Sequence, residues 1–172
     1  MSSATLTAPP ELKYELEITR VFNAPRELVW KAWTDPECLK QWLGPKGFAT
    51  THLAYDVRPG GTWRNCLQWT GAEPAWIGKT WDDLWQGGRY LEVVAPERLV
   101  LTFQWEGRTD IPCDKTVITI RLRELEGKTV MHFHQAFFST EEQRDAHGQG
   151  WNSSFDRMAA YFDELEKEMG NG

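Results

Sequence analysis

The stretch STEEQRDAHGQGWNSSFDRMAAYFDELEKEM, Ser139 to Met169, is the longest segment of the chain with an uninterrupted helical period. Ser139 and Glu142, three residues apart, form a capping box that satisfies two orphan backbone donors at the helix start. Trp151, Phe155, Met158, Phe162, Leu165 and Met169 then recur at spacings of four and three, which places all six on one stripe. Gly170 follows as a left-handed cap. Traced backward from Trp151, the stripe passes through His147 and Arg144, so the inner face turns polar toward its N-terminal end. Gly148 and Gly150 keep the backbone slim in the same region. An inner face that changes from apolar to polar and narrow points to a cavity at that end.

The rest of the chain supplies what this helix packs against. Tyr14 to Phe22 alternates, with Tyr14, Leu16 and Ile18 on one side and Glu15, Glu17 and Thr19 on the other, as a half-buried strand does. Asn23-Ala24-Pro25 ends it, and a helix follows whose inner side is Leu28, Val29, Ala32 and Trp33. Asp35-Pro36 caps a second short helix through Leu43, which Gly44-Pro45 stops. Thereafter the pattern is strands: THLAYDV, a turn at Arg58-Pro59-Gly60-Gly61, TWRNCLQW, RYLEVV, RLVLTFQW, TVITIRLREL and TVMHFHQAFF. In the last of these Met131, Phe133, Gln135 and Phe137 oppose His132 and His134. Strands joined by short turns pair antiparallel, and one sheet with its helices on one face is an α+β layering. The sheet is expected to curl around the terminal helix, whose stripe is long enough to cover it.

Composition bounds the function. The 172 residues suit a single domain over 14–169, with a disordered polar tail at 1–13. A net charge of -6 without a basic cluster argues against nucleic acid. No apolar run approaches a membrane span, and the N-terminus lacks a signal-peptide layout. Cys38, Cys66 and Cys113 are odd in number and in no metal-ligand spacing, which suits a reducing cytoplasm. Ten tryptophans exceed what a core of this size needs and suit a pocket with flat, rigid walls.

At this point the chain resembles the SRPBCC (START, birch-pollen-allergen-like) superfamily. Within it, the chain resembles the branch named for the C-terminal domain of the activator of Hsp-ninety ATPase. The residues carrying the resemblance are Ala24-Pro25, Val29-Trp30, Ala32-Trp33, Thr34-Asp35-Pro36, Trp42, Gly44-Pro45 and Arg58-Pro59-Gly60-Gly61. Tyr90 with Glu92, the run Pro96 to Val100, His147 and Gly150-Trp151 complete the order. The resemblance implies a helix-grip fold, in which a curved antiparallel sheet wraps a long C-terminal helix and leaves a cavity between them. The chain departs from the family pattern in its long, tryptophan-rich segment from Thr70 to Gly88. It also departs at His134-Gln135, where the family often carries a Thr-His pair.

The expected pocket is walled by Trp33, Trp42, Trp63, Leu91, Leu101, Phe103, Ile118, Ile120, Phe133, Gln135, Trp151 and Phe155. His147 and Arg144 form its polar end, and an imidazole and a guanidinium there suit an anionic or carbonyl group. Trp76, Trp81 and Trp85 form a lid over it, or alternatively a homodimer contact through residues 70–88. His132 and His134 share one strand face, but a metal site needs a third ligand and none stands near them in sequence, so no metal is expected. Glu92 and Asp56 are candidate general bases with no nucleophile beside them. No cofactor is expected, since no phosphate loop or nucleophile elbow is present. The expectation is a domain that binds a small apolar or aromatic molecule. A cyclase/aromatase-like enzyme and a chaperone-cofactor module are the alternatives that the resemblance implies.

Overall fold

The computed structural model describes residues 14–70, 83–107 and 115–170. In chain order the elements are β1 (Tyr14–Phe22), α1 (Arg26–Thr34), α2 (Pro36–Trp42), β2 (Phe48–Tyr55), β3 (Thr62–Trp69), β4 (Leu84–Val94), β5 (Arg98–Trp105), β6 (Thr116–Leu125), β7 (Lys128–Phe138) and α3 (Glu141–Gly170). The strands make one seven-stranded antiparallel sheet in the order β1-β7-β6-β5-β4-β3-β2. Each of β2 to β7 pairs with its neighbour in sequence, and β1 closes onto β7. This is the helix-grip arrangement that the resemblance implies, and it agrees with the sheet curled around the terminal helix expected from periodicity. The tail at 1–13 and most of the tryptophan-rich segment lie outside the described residues.

Local chemistry sets the helix ends. Asp35 caps α2 by accepting a bond from Glu37 N at 2.9 Å, and Pro36 follows at the first helical position, where its missing N–H costs nothing. The start of α3 lies one residue later than the capping box implies. Thr140 Oγ1 accepts from Gln143 N at 3.1 Å, while Ser139 Oγ donates to the Gln143 side chain. Thr140-x-x-Gln143 is itself a capping sequence, and it wins over Ser139-x-x-Glu142. At the other end Gly170 continues the helix and is not among the glycines with positive φ, so the left-handed cap is not formed.

The buried face of α3 comprises Gln143, His147, Gly148, Gly150, Trp151, Ser154, Phe155, Met158 and Phe162. Phe162 meets Phe22 of β1 edge-on at 5.5 Å, a contact that adds to area burial. Leu165 is half-buried, and Met169, 81% exposed, lies beyond the sheet rather than anchoring it. Gly148 is needed where it stands, because a Cβ there would lie 3.2 Å from Leu16 Cδ1 of β1.

Three irregularities redirect side chains that simple alternation misplaces. At His52 (φ 53) the β2–β3 register shifts, so the inward set passes from Phe48 and Thr50 to Tyr55. A shift between Tyr90 and Glu92 leaves Leu91 outside the ladder and 50% exposed, with Tyr90 inward. At Phe137 (φ 81) the inward position passes to Phe138, which is fully buried, so Phe137 does not share the face of Gln135. Gly88 allows β4 to press against β5: a Cβ there would fall 2.0 Å from the Thr102 carbonyl oxygen. No described helix is long and apolar enough to cross a membrane.

The capping geometry gives a direct test. Thr140→Ala removes an acceptor for the first turn of α3 and is expected to lower unfolding stability by about 1 kcal/mol, measured by urea denaturation.

Candidate functional site

The space between the sheet and α3 holds two small cavities, about 30 Å³ and 20 Å³. Each has room for a water or two, well below the roughly 150 Å³ that admits benzene. The first is lined by Leu43, Gly44, Pro45, Leu67, Gln86, Phe103, Trp105, His147, Gly150, Trp151 and Ser154. The second lies under β2 to β6 and is lined by Trp33, Leu39, Leu43, Tyr55, Trp63, Gln86, Tyr90, Leu99, Leu101, Phe103, Ile118 and Trp151. Leu43, Gln86, Phe103 and Trp151 belong to both. The open cavity expected from the sequence is therefore mostly filled. An aromatic cluster fills it: Trp33 lies 4.7 Å from Trp42 and 6.0 Å from Trp151 and Phe155, and Phe133 lies 4.8 Å from Trp151.

Of the expected wall, Trp33, Trp63, Leu101, Phe103, Ile118, His147 and Trp151 line a cavity. Trp42, Ile120, Phe133, Gln135 and Phe155 are buried in the surrounding core and line neither. Leu91 faces solvent because it follows the inward-facing Tyr90 on β4. Arg144 is also displaced from the polar end. Its guanidinium reaches the rim, bonds Asp145 at 3.1 Å and Glu141 at 3.2 Å, and lies 5.7 Å over the Tyr14 ring. A long cation at an edge snorkels rather than burying its charge, and the two carboxylates raise its pKa through hydrogen bonding and charge.

His147 is held rather than free. Its Nε2 accepts from Trp105 Nε1 at 2.9 Å, and its Nδ1 lies 2.9 Å from the Gln143 carbonyl oxygen. Indole N–H only donates, so Nε2 is the acceptor and Nδ1 carries the proton, which assigns the neutral tautomer. A parallel tie joins α3 to the sheet lower down. Trp151 Nε1 donates to Gln135 Oε1 at 2.8 Å, Gln135 Nε2 donates to Thr116 Oγ1 at 2.8 Å, and Thr116 Oγ1 donates to the Phe103 carbonyl at 3.1 Å. Gln135 is thus a structural partner of Trp151.

A further polar chain reaches the cavities from β2, β3 and β4. Gln86 Nε2 donates to Asn65 Oδ1 at 2.8 Å, and Asn65 Nδ2 donates to Tyr55 OH. The bond to Asn65 uses one amide N–H of Gln86 and none of its carbonyl. Burial pushes the Tyr55 and Tyr90 phenols far above their ordinary value, with Tyr90 adding to the shift at Tyr55 and Asp56 to that at Tyr90. Both stay protonated. Sequence reasoning missed Gln86 and Tyr55 as cavity residues, and Asn65 as the group that joins them. Gln86 sits at the end of the tryptophan-rich segment, and Tyr55 turns inward only because of the bulge at His52. Tyr90 stood out in the sequence only as a family residue.

The wall formed by Leu43, Gly44 and Pro45 is a loop between α2 and β2. Arg157 of α3 holds it through one nitrogen, Nη1, which approaches the carbonyl oxygens of Leu43, Gly44, Pro45 and Phe48 at 3.3, 2.7, 3.4 and 3.0 Å. Burial lowers the Arg157 pKa, and no carboxylate pairs with it among the described residues. Ser153 adds a second tie by accepting from Lys46 N at 2.8 Å.

The remaining candidates lie outside this space. Glu92 pairs with Arg98 and Asp56 with Arg58, all on the surface, so neither carboxylate converges with His147. Trp85 belongs to β4 and lies on the outer face, stacked 5.2 Å from His52 with Arg64 4.0 Å over its ring, so it forms no lid. Its neighbour Gln86 turns inward instead, since successive strand residues point to opposite faces. Trp76 and Trp81 lie outside the described residues. His132 and His134 face solvent, but the pairing of β1 with β7 supplies what the sequence around them lacks. His134 lies 3.5 Å from Glu15 and His132 4.0 Å from Glu17, and ligand atoms of Glu15, Glu17 and His134 fall within 4.8 Å of one another.

Residues 23–163 match the family described as activator of Hsp90 ATPase homolog 1-like protein, and the chain belongs to that family. The solved structure of a protein from Chromobacterium violaceum shares 28% identity over 86% of this chain and 95% of its own, with a TM-score of 0.75. The family protein from Silicibacter pomeroyi is similar at 19% identity, covering 88% and 99%, with a TM-score of 0.73. CalU16 from Micromonospora echinospora is similar in fold at 22% identity, covering 96% and 87%, with a TM-score of 0.62. No curated protein matches. The family fold accommodates both ligand-binding and cyclase-like roles.

Two outcomes check the geometry of the walls. Trp105→Phe leaves His147 Nε2 buried without its donor and is expected to cost about 1–3 kcal/mol in urea unfolding. Arg157→Met, which keeps the apolar stem, is expected to speed amide hydrogen exchange at Lys46 and Phe48 while leaving exchange in β6 and β7 unchanged.

Proposed function

We propose that this chain binds a small, uncharged, flat molecule between the sheet and α3, in space that the two cavities foreshadow and ligand binding enlarges. The observation that carries this is the lining. Neither cavity has a charged side chain among its described residues, and both combine aromatic walls with a few polar groups: Gln86, Tyr55, Tyr90, Ser154 and neutral His147. That is the composition of a ligand pocket, in which apolar burial supplies affinity and sparse polar groups fix orientation. The size of the cavities requires a wall to move. The Leu43–Pro45 loop is the lining segment outside any helix or strand, held by side-chain bonds from α3 and from Thr50 of β2 rather than by a ladder. A molecule displacing it exchanges the Arg157 contacts for its own burial. A cytoplasmic setting belongs to this proposal, because Cys38 and Cys66 are buried free thiols.

Native mass spectrometry of protein purified from its own host is expected to show a co-purified uncharged small molecule that is lost on unfolding. A protein that carries no such molecule, and whose Tm is unmoved by single-ring neutral aromatics, sinks the proposal, since any ligand selective for the native state must raise Tm.

A further inference from the structure

The second cavity has a polar feature that its apolar walls do not require. Tyr55 reaches it from β2 and Tyr90 from β4, two strands separated in the sheet only by β3. Tyr90 is 99% buried, with a relative exposure of 1%, yet no hydrogen-bond partner for its hydroxyl is found among the described residues. Among the described residues the one fully buried side-chain polar atom without a partner is Arg26 Nε, so the unbonded Tyr90 hydroxyl meets open space rather than closed protein, and a donor there is free for a further partner. Tyr55 OH accepts a bond from Asn65, and Asn65 is fixed in turn by Gln86, so the Tyr55 oxygen is occupied as an acceptor and its own O–H remains to be given. Two phenolic donors therefore border one small space.

We propose that Tyr55 and Tyr90 donate hydrogen bonds to the acceptor oxygen of an uncharged carbonyl compound, so that the second cavity selects a ring bearing a ketone or amide-type carbonyl over a hydrocarbon or a carboxylate. This rests on the ligand-binding proposal above. The discrimination against a carboxylate has a separate cause. Burial without a neighbouring cation disfavours any anion there, and Asp56 lies close enough to act on Tyr90. A neutral carbonyl oxygen accepts two donors at its two lone pairs without bringing charge, so it satisfies both hydroxyls at the least desolvation cost.

The test uses the full chain and three single-ring probes of similar shape: acetophenone, isopropylbenzene and benzoate, titrated by tryptophan fluorescence and calorimetry. Wild type is expected to bind acetophenone at least roughly ten-fold tighter than benzoate. Tyr90→Phe, which removes one oxygen, is expected to weaken acetophenone by roughly 5- to 10-fold and to leave isopropylbenzene unchanged; Tyr55→Phe acts in the same direction. The Tm of Tyr90→Phe stays at or above that of wild type, because no described bond within the fold is lost, whereas Tyr55→Phe also loses the bond from Asn65. If benzoate matches acetophenone, or if both variants keep the wild-type ratio of acetophenone to isopropylbenzene affinity, the carbonyl assignment is wrong while the cavity proposal stands. Binding of none of the three probes to wild type overturns both. A Tm several degrees lower for Tyr90→Phe shows that the hydroxyl serves the fold, and overturns its role as a donor to ligand.

Discussion

The indole of Trp151 gives its N–H to Gln135, and through Thr116 that bond continues to the backbone of β5. The rest of the structure depends on this tie, because α3 must lay a partly polar face on the inner side of a mainly apolar sheet, where each polar group needs a partner. Polar groups buried there are costly unless bonded. The chain meets the constraint twice with the same device, an indole donor and a fixed acceptor: Trp151 with Gln135, and Trp105 with His147. These two bonds set the height of the helix above the sheet. The aromatic cluster around Trp33 then occupies most of the intervening volume.

With helix and sheet fixed, what remains adjustable is the wall between α2 and β2. Its contacts are of a different kind. Strands hold one another by ladders, whereas this loop is held mainly by side chains, the Arg157 guanidinium and Ser153 hydroxyl of α3 and the Thr50 hydroxyl of β2. Arg157 makes its carbonyl contacts from a single nitrogen, so the set is lost together. Rigid walls beside one adjustable wall give a site that keeps its polar groups in register while its volume changes, which is the form preorganised recognition takes when the resting cavity is small.

The helix-grip fold was legible because its signals are long. Thirty residues of α3 and seven strands leave few other layerings. The site was half legible. Trp33, Trp63, Leu101, Phe103, Ile118 and Trp151 follow from face assignment alone, since each lies in a regular stretch. Where the ladder is interrupted, period-2 reasoning assigns the wrong face. His52 and Phe137 adopt positive φ without being glycine, so nothing in residue type announces the bulge. Tyr55 and Phe138 were lost to the inner set for that reason, and Leu91 was wrongly gained. Arg144 fails differently. Its helical phase is that of the stripe, but α3 starts near the sheet rim, where a guanidinium finds Glu141 and Asp145 before it finds the interior. Pairing across the sheet was also beyond the sequence, which is why Glu15 and Glu17 were not connected to the two histidines of β7.

The closing of β1 onto β7 has a consequence for how the molecule is made. Every other strand pairs with a neighbour soon after it emerges from synthesis, but β1 waits for almost the whole chain before its partner exists. Contacts such as Arg20 with Asn152, 132 residues apart, are the last that a growing chain can form. Throughout that interval β1 is an unpaired strand with a row of open backbone groups, the kind that recruits other chains. Its outward face carries Glu15, Glu17 and Thr19 rather than apolar residues. Those carboxylates, which in the finished protein lie beside His132 and His134, are the kind of residue that keeps an open strand edge from pairing with other chains.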